Sequence, residues 1–340
     1  MIIVINNLHD AIESEDKMRA FNNIIMACGE GKHVLWMPSK KLSEVISAGV
    51  VSGYNLRVLH ELKDNARSSR SILEDFDFFV EVDFTSDVSI GYSGINCLRL
   101  SYLYFVDSAS VQLPVFVAEN LSDIEFYMIG SKVHLKDLKL LSSYDVKFRQ
   151  SPGGGNTTIN SFRYHLGVND LVLCILDSDR KHPSDGVKET AARFAEYAPG
   201  WGRNYWLHIL NCTEAENLVP FRVAQEVLSE NGDVVHDRFL RLTPDARRFV
   251  DHKEGLTLAQ ARAADLRHGV RYWEAFVLAG EAEVCICEPL GQRFLEHCIN
   301  YMKGMTTHKL SEMIGDRDRA YIDICRMVAS WGVGFRRAIR

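Results

Sequence analysis

The sequence predicts an α/β protein: a mostly parallel sheet flanked by helices, with an N-terminal α/β module and a helical C-terminal segment. Three observations lead there. Short apolar, β-branched runs (VFVA at 115–118, LVLCIL at 171–176, YWLHILN at 205–211) are separated by helix-like stretches, the pattern of buried parallel strands joined by crossover helices. Each run opens into a carboxylate-bearing loop, through ENLSD, DSD and TEAEN respectively. The 340 residues are 46% hydrophobic and 25% charged, as in ordinary globular domains, and leave room for one large domain or two smaller ones.

Bulk properties exclude some classes. A formal charge of −6 argues against a general polyanion binder with a basic stripe, although a carboxylate-rich metal site would itself supply much of that charge. The opening MIIVINNLHDAIESED has neither a basic n-region nor a long apolar core, so no signal peptide is expected. No stretch reaches the roughly 18–20 apolar residues of a membrane span. The cysteines (28, 97, 174, 212, 285, 287, 298, 325) form no CxxC pair and read as reduced, buried thiols of a cytoplasmic protein, not a zinc site.

Residues 1–109 read as a separate recognition or assembly module. MIIVIN is a strand; 9–28 has helical apolar spacing through Ile12, Met18, Phe21, Ile24 and Ile25, ending at Gly29. HVLWM (33–37) is a second strand, and Ser39 is placed to cap the helix after it. Residues 54–75 read as a helix, and 76–92 alternates like a hairpin or edge strand. There Asp75, Asp77, Glu81 and Asp83 are the wet face of a half-buried strand.

Residues 110–256 carry the chemistry. After the 115–118 strand come Glu119 and then Ser122 and Asp123, which start a helix over 124–129; a second strand ends near Arg149. SPGGGNTT follows. Gly153, Gly154 and Gly155 free the backbone to turn, and Asn156 or Thr157 could cap the next helix. Such a turn either cradles phosphate on its amides or simply connects strand to helix. No GK[ST] follows, so it is not a Walker A loop. Asp177 and Asp179 leave the clearest buried strand, with Arg180, Lys181 and His182 behind them as phosphate contacts or as a polar turn. GVKETAARFAEYA reads as an amphipathic helix. Glu214 and Glu216 begin another helix, where acids also suit the helix dipole. Lys253 in DHKEG is a mobile cation able to neutralise a pentavalent phosphate, or a surface residue. Residues 257–340 are helix-rich and end in FRRAIR, a solvated helix end. The apolar face of Ile322, Ile324, Met327, Val328 and Trp331 packs on the chain itself or on a partner, a homo-oligomer included.

Parallel strands place Glu119, Asp123, Asp177, Asp179, Glu214 and Glu216 at one sheet edge, where open α/β sheets bind ligands. Six carboxylates repel strongly, and bound Mg²⁺ or Mn²⁺ is the ordinary remedy. The pattern points to divalent-metal phosphoryl transfer.

The ordered motifs resemble the Toprim catalytic domain of OLD-type (overcoming lysogenisation defect) nucleases and of stand-alone Toprim phage-defence effectors. Glu119 matches the strand-terminal Glu, Asp123 the extra acid of OLD-type members, Asp177 and Asp179 the DxD, Glu216-Asn217-Leu218 the later acid motif, and Lys253 the downstream lysine. Asn120 replaces the glycine relatives often carry, and Glu214 stands where they carry Ser. The match covers residues 114–255, and no ABC-type ATPase motif is present. The resemblance implies a Toprim-like sheet and a cytoplasmic, metal-binding hydrolase of antiviral defence, cutting DNA or RNA. Two metal ions roughly 4 Å apart would clamp the phosphate. Glu119, Asp177 and Asp179 would ligate metal, Asp123 and Glu216 would complete a second site with Glu214 beside them, and Lys253 would stabilise transition-state charge. Gly153, Gly154, Gly155, Asn156, Arg180 and Lys181 would bind phosphate. A protein partner such as an ATPase or reverse-transcriptase complex would control it. Two alternatives stand beside this one: an inactive Toprim-like sensor or assembly subunit, and a HAD-like phosphatase using DSD.

Overall fold

The computed structural model describes residues 1–8, 14–65, 72–85, 90–93, 96–230, 237–276 and 285–339. Its first sheet contains β1 (Ile2–Val4), β2 (Val34–Trp36), β3 (Phe79–Asp83), β4 (Ile90–Ser93) and β5 (Cys97–Ser101), in the order β2-β1-β3-β5-β4. All neighbours are parallel except β4 against β5. The alternation predicted for 76–92 is present in β3, where Val80 and Val82 are buried between half-exposed neighbours. It does not make a hairpin: β5, a strand the pattern does not advertise, inserts between β3 and β4. The helix expected from position 9 starts at Glu15, and His9 and Ile12 lie outside the described residues. The helix expected over 54–75 is described as Gly53–Asn65 and a turn at Ile72–Asp75. Ser39 does not cap the following helix; it is that helix's first residue, behind Pro38.

The later strands are β6 (Val115–Ala118), β7 (Tyr144–Val146), β8 (Arg149–Pro152), β9 (Val172–Leu176), β10 (Gly200–Trp201), β11 (Tyr205–Ile209), β12 (Leu256–Thr257), β13 (Cys285–Cys287) and β14 (Val333–Phe335). The second sheet has the order β10-β11-β9-β6-β8, parallel except for the short edge strand β10. β8 begins at Arg149, where the pattern predicts a strand end. The Arg149 N–H donates to the Pro114 carbonyl at 2.9 Å and starts the register there, while the apolar residues upstream form β7 and pair with β14.

Two helices differ from expectation for local reasons. The one predicted over 124–129 runs Leu121–Asp137, straight through Gly130. The amphipathic segment 186–198 is helical only at Glu189–Ala192. Its start is blocked because the Lys188 N–H donates to the Ser178 carbonyl and Glu189 has φ of 44°. Helices cover both faces of the second sheet. Val115 and Val117 of β6 pack towards Ile159 and Phe162 of the helix Thr158–Gly167. Phe116 and Ala118 face the larger core, which is continuous with the first sheet and the C-terminal helices.

The helix Arg319–Gly332 lies on Leu121–Asp137. Tyr321 stacks on Phe126 at 4.5 Å and donates to its carbonyl at 3.0 Å. Ile324, Met327, Val328 and Trp331 are buried within this chain, which answers where the C-terminal apolar face packs. All eight thiols are free and all but Cys285 are buried; Cys212 lies just past β11, not inside it. No helix among the described residues is long and apolar enough to cross a membrane.

Gly130 sits where those two helices touch: a Cβ there would meet Cys325 Sγ and would stand 2.5 Å from Tyr321 Oη. Overpacking of this kind costs about 1–3 kcal/mol. Gly130→Ala is therefore expected to lower the urea unfolding free energy by that amount, although alanine is the better helix former.

Candidate functional site

Four parallel strands bring their C-terminal ends to one edge. Glu119 directly follows β6, Asp177 directly follows β9, and Glu214 and Glu216 lie in the turn after β11. From β6 the chain crosses to β8 on one side and then returns to β9 on the other. Glu119 and Asp177 thus flank a topological switch point, the crevice where such sheets take ligands.

The turns are tied together. The Ser178 and Asp179 N–H groups donate to the Thr213 carbonyl at 3.1 and 3.0 Å, and the Thr213 hydroxyl donates to the Arg180 carbonyl at 2.6 Å. The Ser178 hydroxyl donates to the Cys212 carbonyl at 2.5 Å. This turn holds Asp179 at φ of 53°, a left-handed conformation that Asp tolerates better than most residues and that clusters at functional sites. Asp123 Oδ2 accepts the Asn120 N–H at 2.9 Å, so the extra acid also caps its helix. Glu119 Oε2 accepts from the Thr190 hydroxyl at 3.0 Å; Oε1 is buried without a hydrogen bond of normal geometry among the described residues.

Lys253 comes from the next loop. Its Nζ lies 2.6 Å from Glu214 Oε2 and 3.2 Å from Glu216 Oε1. Asn217 aligns the two segments by donating to the carbonyls of Arg247 and Val250 at 2.6 and 2.8 Å.

Burial and crowding act together on these acids. Burial pushes Glu119 up to about 7, and Asp179 and Glu214 add to it against the Thr190 hydrogen bond. Asp123 is pushed up to about 7 by burial, helped by Glu216 and Glu119. Asp179 rises to about 6 through burial, with Glu189 and Glu214 adding. Asp177 is held well above the carboxylate range by burial, then by Asp123, Glu119, Glu216 and Glu214. Burial also raises Glu216, with Lys253 opposing. Burial works against the Lys253 charge, but Glu216 and Glu214 outweigh it and raise its pKa. As their side chains stand, no three His, Cys, Asp or Glu residues among those described form a group that could hold a metal ion. The acids feel one another's charge without sharing one point.

The residues expected to bind phosphate have other partners. The Gly153 and Gly154 amides donate to the carbonyls of Ala118 and Glu119 at 2.8 and 2.9 Å. Gly154 and Gly155 do take positive φ, so the turn needs glycine, and a Cβ on Gly153 would run into Thr158. Neither Asn156 nor Thr157 caps the helix: Asn156 Oδ1 accepts from Arg193 at 3.1 Å, and the Thr157 hydroxyl donates back to the Gly153 carbonyl. Arg180 donates to the Leu210 carbonyl at 3.3 Å, and Lys181 to Asp251 at 2.8 Å. This loop chemistry is connective first.

Several participants carry no sequence signal of their own. Thr190 and Arg193 sit in a stretch that reads as a surface helix. Thr213 acts mainly through its carbonyl. Tyr127, whose buried hydroxyl has no hydrogen-bond partner among the described residues, is raised well above the usual phenol range by burial and then by Asp177 and Asp123. No protein-family model, curated protein or solved structure matches the chain.

Glu119, Asp123 and Asp179 have ordinary values of 4.5, 3.8 and 3.8, and the fold raises all three. The folded state therefore keeps protons that the unfolded chain releases. Their contribution to stability is intact below the unfolded values and is lost as pH climbs through about 6 to 7. In chelator, the unfolding free energy should fall between pH 5 and pH 8, and Glu119→Gln should flatten that fall. Lys253→Met leaves Glu214 and Glu216 uncompensated and is expected to lose about 1–3 kcal/mol at pH 8 by urea titration.

Proposed function

We propose that the chain is a divalent-metal nuclease, a hydrolase of DNA or RNA phosphodiester bonds, whose residues 110–256 form a Toprim-like catalytic domain. One observation carries the reading: five carboxyls, buried or half-buried, stand at a sheet switch point and are raised by burial and by neighbouring acids, and one of them, Glu119, has an oxygen without a side-chain partner of normal geometry among the described residues. As they stand the acids share no single point, but side chains turned towards one another would suit a hard cation, which would relieve the repulsion and favour their ionised forms. Glu119, Asp177 and Asp179 would hold Mg²⁺ or Mn²⁺, with Asp123 and Glu216 beside them. The bound metal would supply Lewis-acid polarisation of the phosphate and an activated water.

The chain's own groups do the rest. Thr190 orients Glu119, and Thr213 fixes the Asp177–Asp179 turn against the Glu214 turn. Lys253, which pairs with Glu214 and Glu216, would neutralise charge developing on the phosphate. Arg193, exposed and held to the glycine turn by Asn156, is a cation that could meet the backbone of a nucleic acid. Restraint or activation by a protein partner fits an enzyme that would otherwise attack host nucleic acid, as in phage defence.

A second reading, a Toprim-like sensor or assembly subunit without catalysis, draws support from Lys253. It already neutralises Glu214 and Glu216 without a metal.

The deciding experiment incubates the purified protein with plasmid DNA, single-stranded DNA and bulk tRNA, in Mn²⁺, Mg²⁺ or EDTA, beside Asp177→Ala/Asp179→Ala. Metal-dependent cutting that drops at least about 100-fold in the double variant is the expected result. Absence of cutting, together with no rise in melting temperature on adding Mn²⁺, would overturn the nuclease reading. Metal stabilisation without cutting would favour the sensor.

A further inference from the structure

A different cluster lies between β8 and the helix Thr158–Gly167, and it owes nothing to the metal-site reading. Ser151 pairs in register with Val117 and so faces the helix Thr158–Gly167, as Val117 does. Ser161 and His165 are one helical turn apart on that helix and both reach Ser151. Ser161 Oγ lies 2.6 Å from Ser151 Oγ, and His165 Nε2 lies 3.1 Å from it. The chain then turns back through Asn169, at φ of 59°, and places Asp170 behind the imidazole, with Oδ2 at 2.8 Å from His165 Nδ1. The other carboxylate oxygen of Asp170 pairs with Arg149, and the Asp170 carbonyl accepts from Asn204 at 2.7 Å.

The order of these contacts determines the chemistry. Asp170 requires the proton of a neutral ring on Nδ1, which leaves the Nε2 lone pair facing the Ser151 hydroxyl. Ser161 can donate to Ser151, so the Ser151 proton is free to point at Nε2. Carboxylate, imidazole and hydroxyl thus stand in the relation of a nucleophile, its base and the base's orienter. The site is reachable. Ser151 is half-buried, the His165 side chain is 16% exposed, and Tyr164, 66% exposed, stands edge-on to His165 with centroids 5.2 Å apart. β8 is an edge strand. Arg149 and Gly153 direct their N–H groups at β6, so alternation turns the Gln150 N–H to the open edge, where an oxyanion could take it.

We infer that Ser151, His165 and Asp170 form a second catalytic site, a serine-nucleophile site that hydrolyses small carboxylic esters, with Tyr164 as the surface on which an aryl group lands. Ser151 Oγ bonds to the ester carbonyl carbon while its proton passes to His165 Nε2. The carbon–oxygen bond to the leaving alcohol breaks, and that oxygen takes the proton. Water then attacks the acyl carbon, gives a proton to Nε2, and Ser151 leaves with it, releasing the carboxylic acid. Ser151 and His165 are the catalytic residues, and Asp170 is a positioning residue.

The test treats the full chain with a fluorophosphonate in EDTA, follows intact mass with time and maps the modified peptide. One phosphonyl group per chain on Ser151 is expected. It should be absent in Ser151→Ala and form about 100-fold or more slowly in His165→Gln, with melting temperatures recorded for each variant. Asp170→Asn should slow capture and Asp170→Glu should restore most of it. With p-nitrophenyl acetate, the wild type should release a burst of nitrophenol that Ser151→Ala lacks. No modification, modification at another residue, or an unchanged rate in a folded His165→Gln variant would each overturn the inference. Because chelator is present throughout, none of these results depends on whether the protein is a nuclease.

Discussion

The constraint on which the carboxylate site depends is the cost of holding like charges out of water. Two carboxylates about 4 Å apart repel by roughly 4 kcal/mol at the effective dielectric of a protein surface. This fold gathers several at the ends of parallel strands, where burial alone already disfavours their ionised forms. It manages that load in three ways. Asp123 is partly stabilised by the Asn120 N–H at a helix start, and Glu119 by the Thr190 hydroxyl. Lys253 neutralises the Glu214–Glu216 pair. The remainder is met by proton uptake.

What the sequence made legible was the part governed by local pattern. β6 and β9 are apolar, β-branched and uninterrupted, and the acids that follow them are placed by strand direction alone. What escaped was non-local. Gly130 reads as a helix stop, yet the Leu121–Asp137 helix continues because its packing against Tyr321 and Cys325 needs a residue without a side chain. CLRLS, with Arg99 in its centre, looks too polar for an interior strand. It becomes β5 because Cys97, Leu98 and Leu100 are buried, while exposed Arg99 pairs with Glu81 on the neighbouring strand at 3.0 Å. The 186–198 segment has helical apolar spacing, but only one helical turn forms, starting where the Ser178 carbonyl takes the Lys188 N–H: Ala191 buries against the sheet from that turn and Phe194 from the irregular chain after it.

The same limit applies to the sites. Residue type and motif order marked Glu119, Asp177, Asp179, Glu216 and Lys253. They could not mark Thr213, whose contribution is largely a backbone carbonyl, or Thr190, a hydroxyl in an unremarkable stretch. Nor could they show that Lys181 and Arg180 are already engaged. The Ser151–His165–Asp170 relation was invisible for another reason: its members come from a strand, a helix and a loop, and no short motif links them.

Distance along the chain does not mean independence from the site. The helix Leu121–Asp137, which Asp123 helps to cap, is gripped by Arg319–Gly332 through the Phe126–Tyr321 stack and the Gly130 contact. That C-terminal helix runs on into β14, which pairs with β7, and the Val333 carbonyl accepts from the Met1 ammonium group. Trp331 packs on Trp201, and Trp201 packs in turn on Phe78 of the first module. A shift of the first sheet or of the last helix would therefore be passed to the helix Leu121–Asp137 through this continuous core. At its far end sits Asp123, whose carboxylate both caps the helix and adds its charge to Asp177. Close-packed interiors transmit strain rather than absorb it. The segments outside residues 110–256 are thus packed so that their position bears on the spacing of the acids.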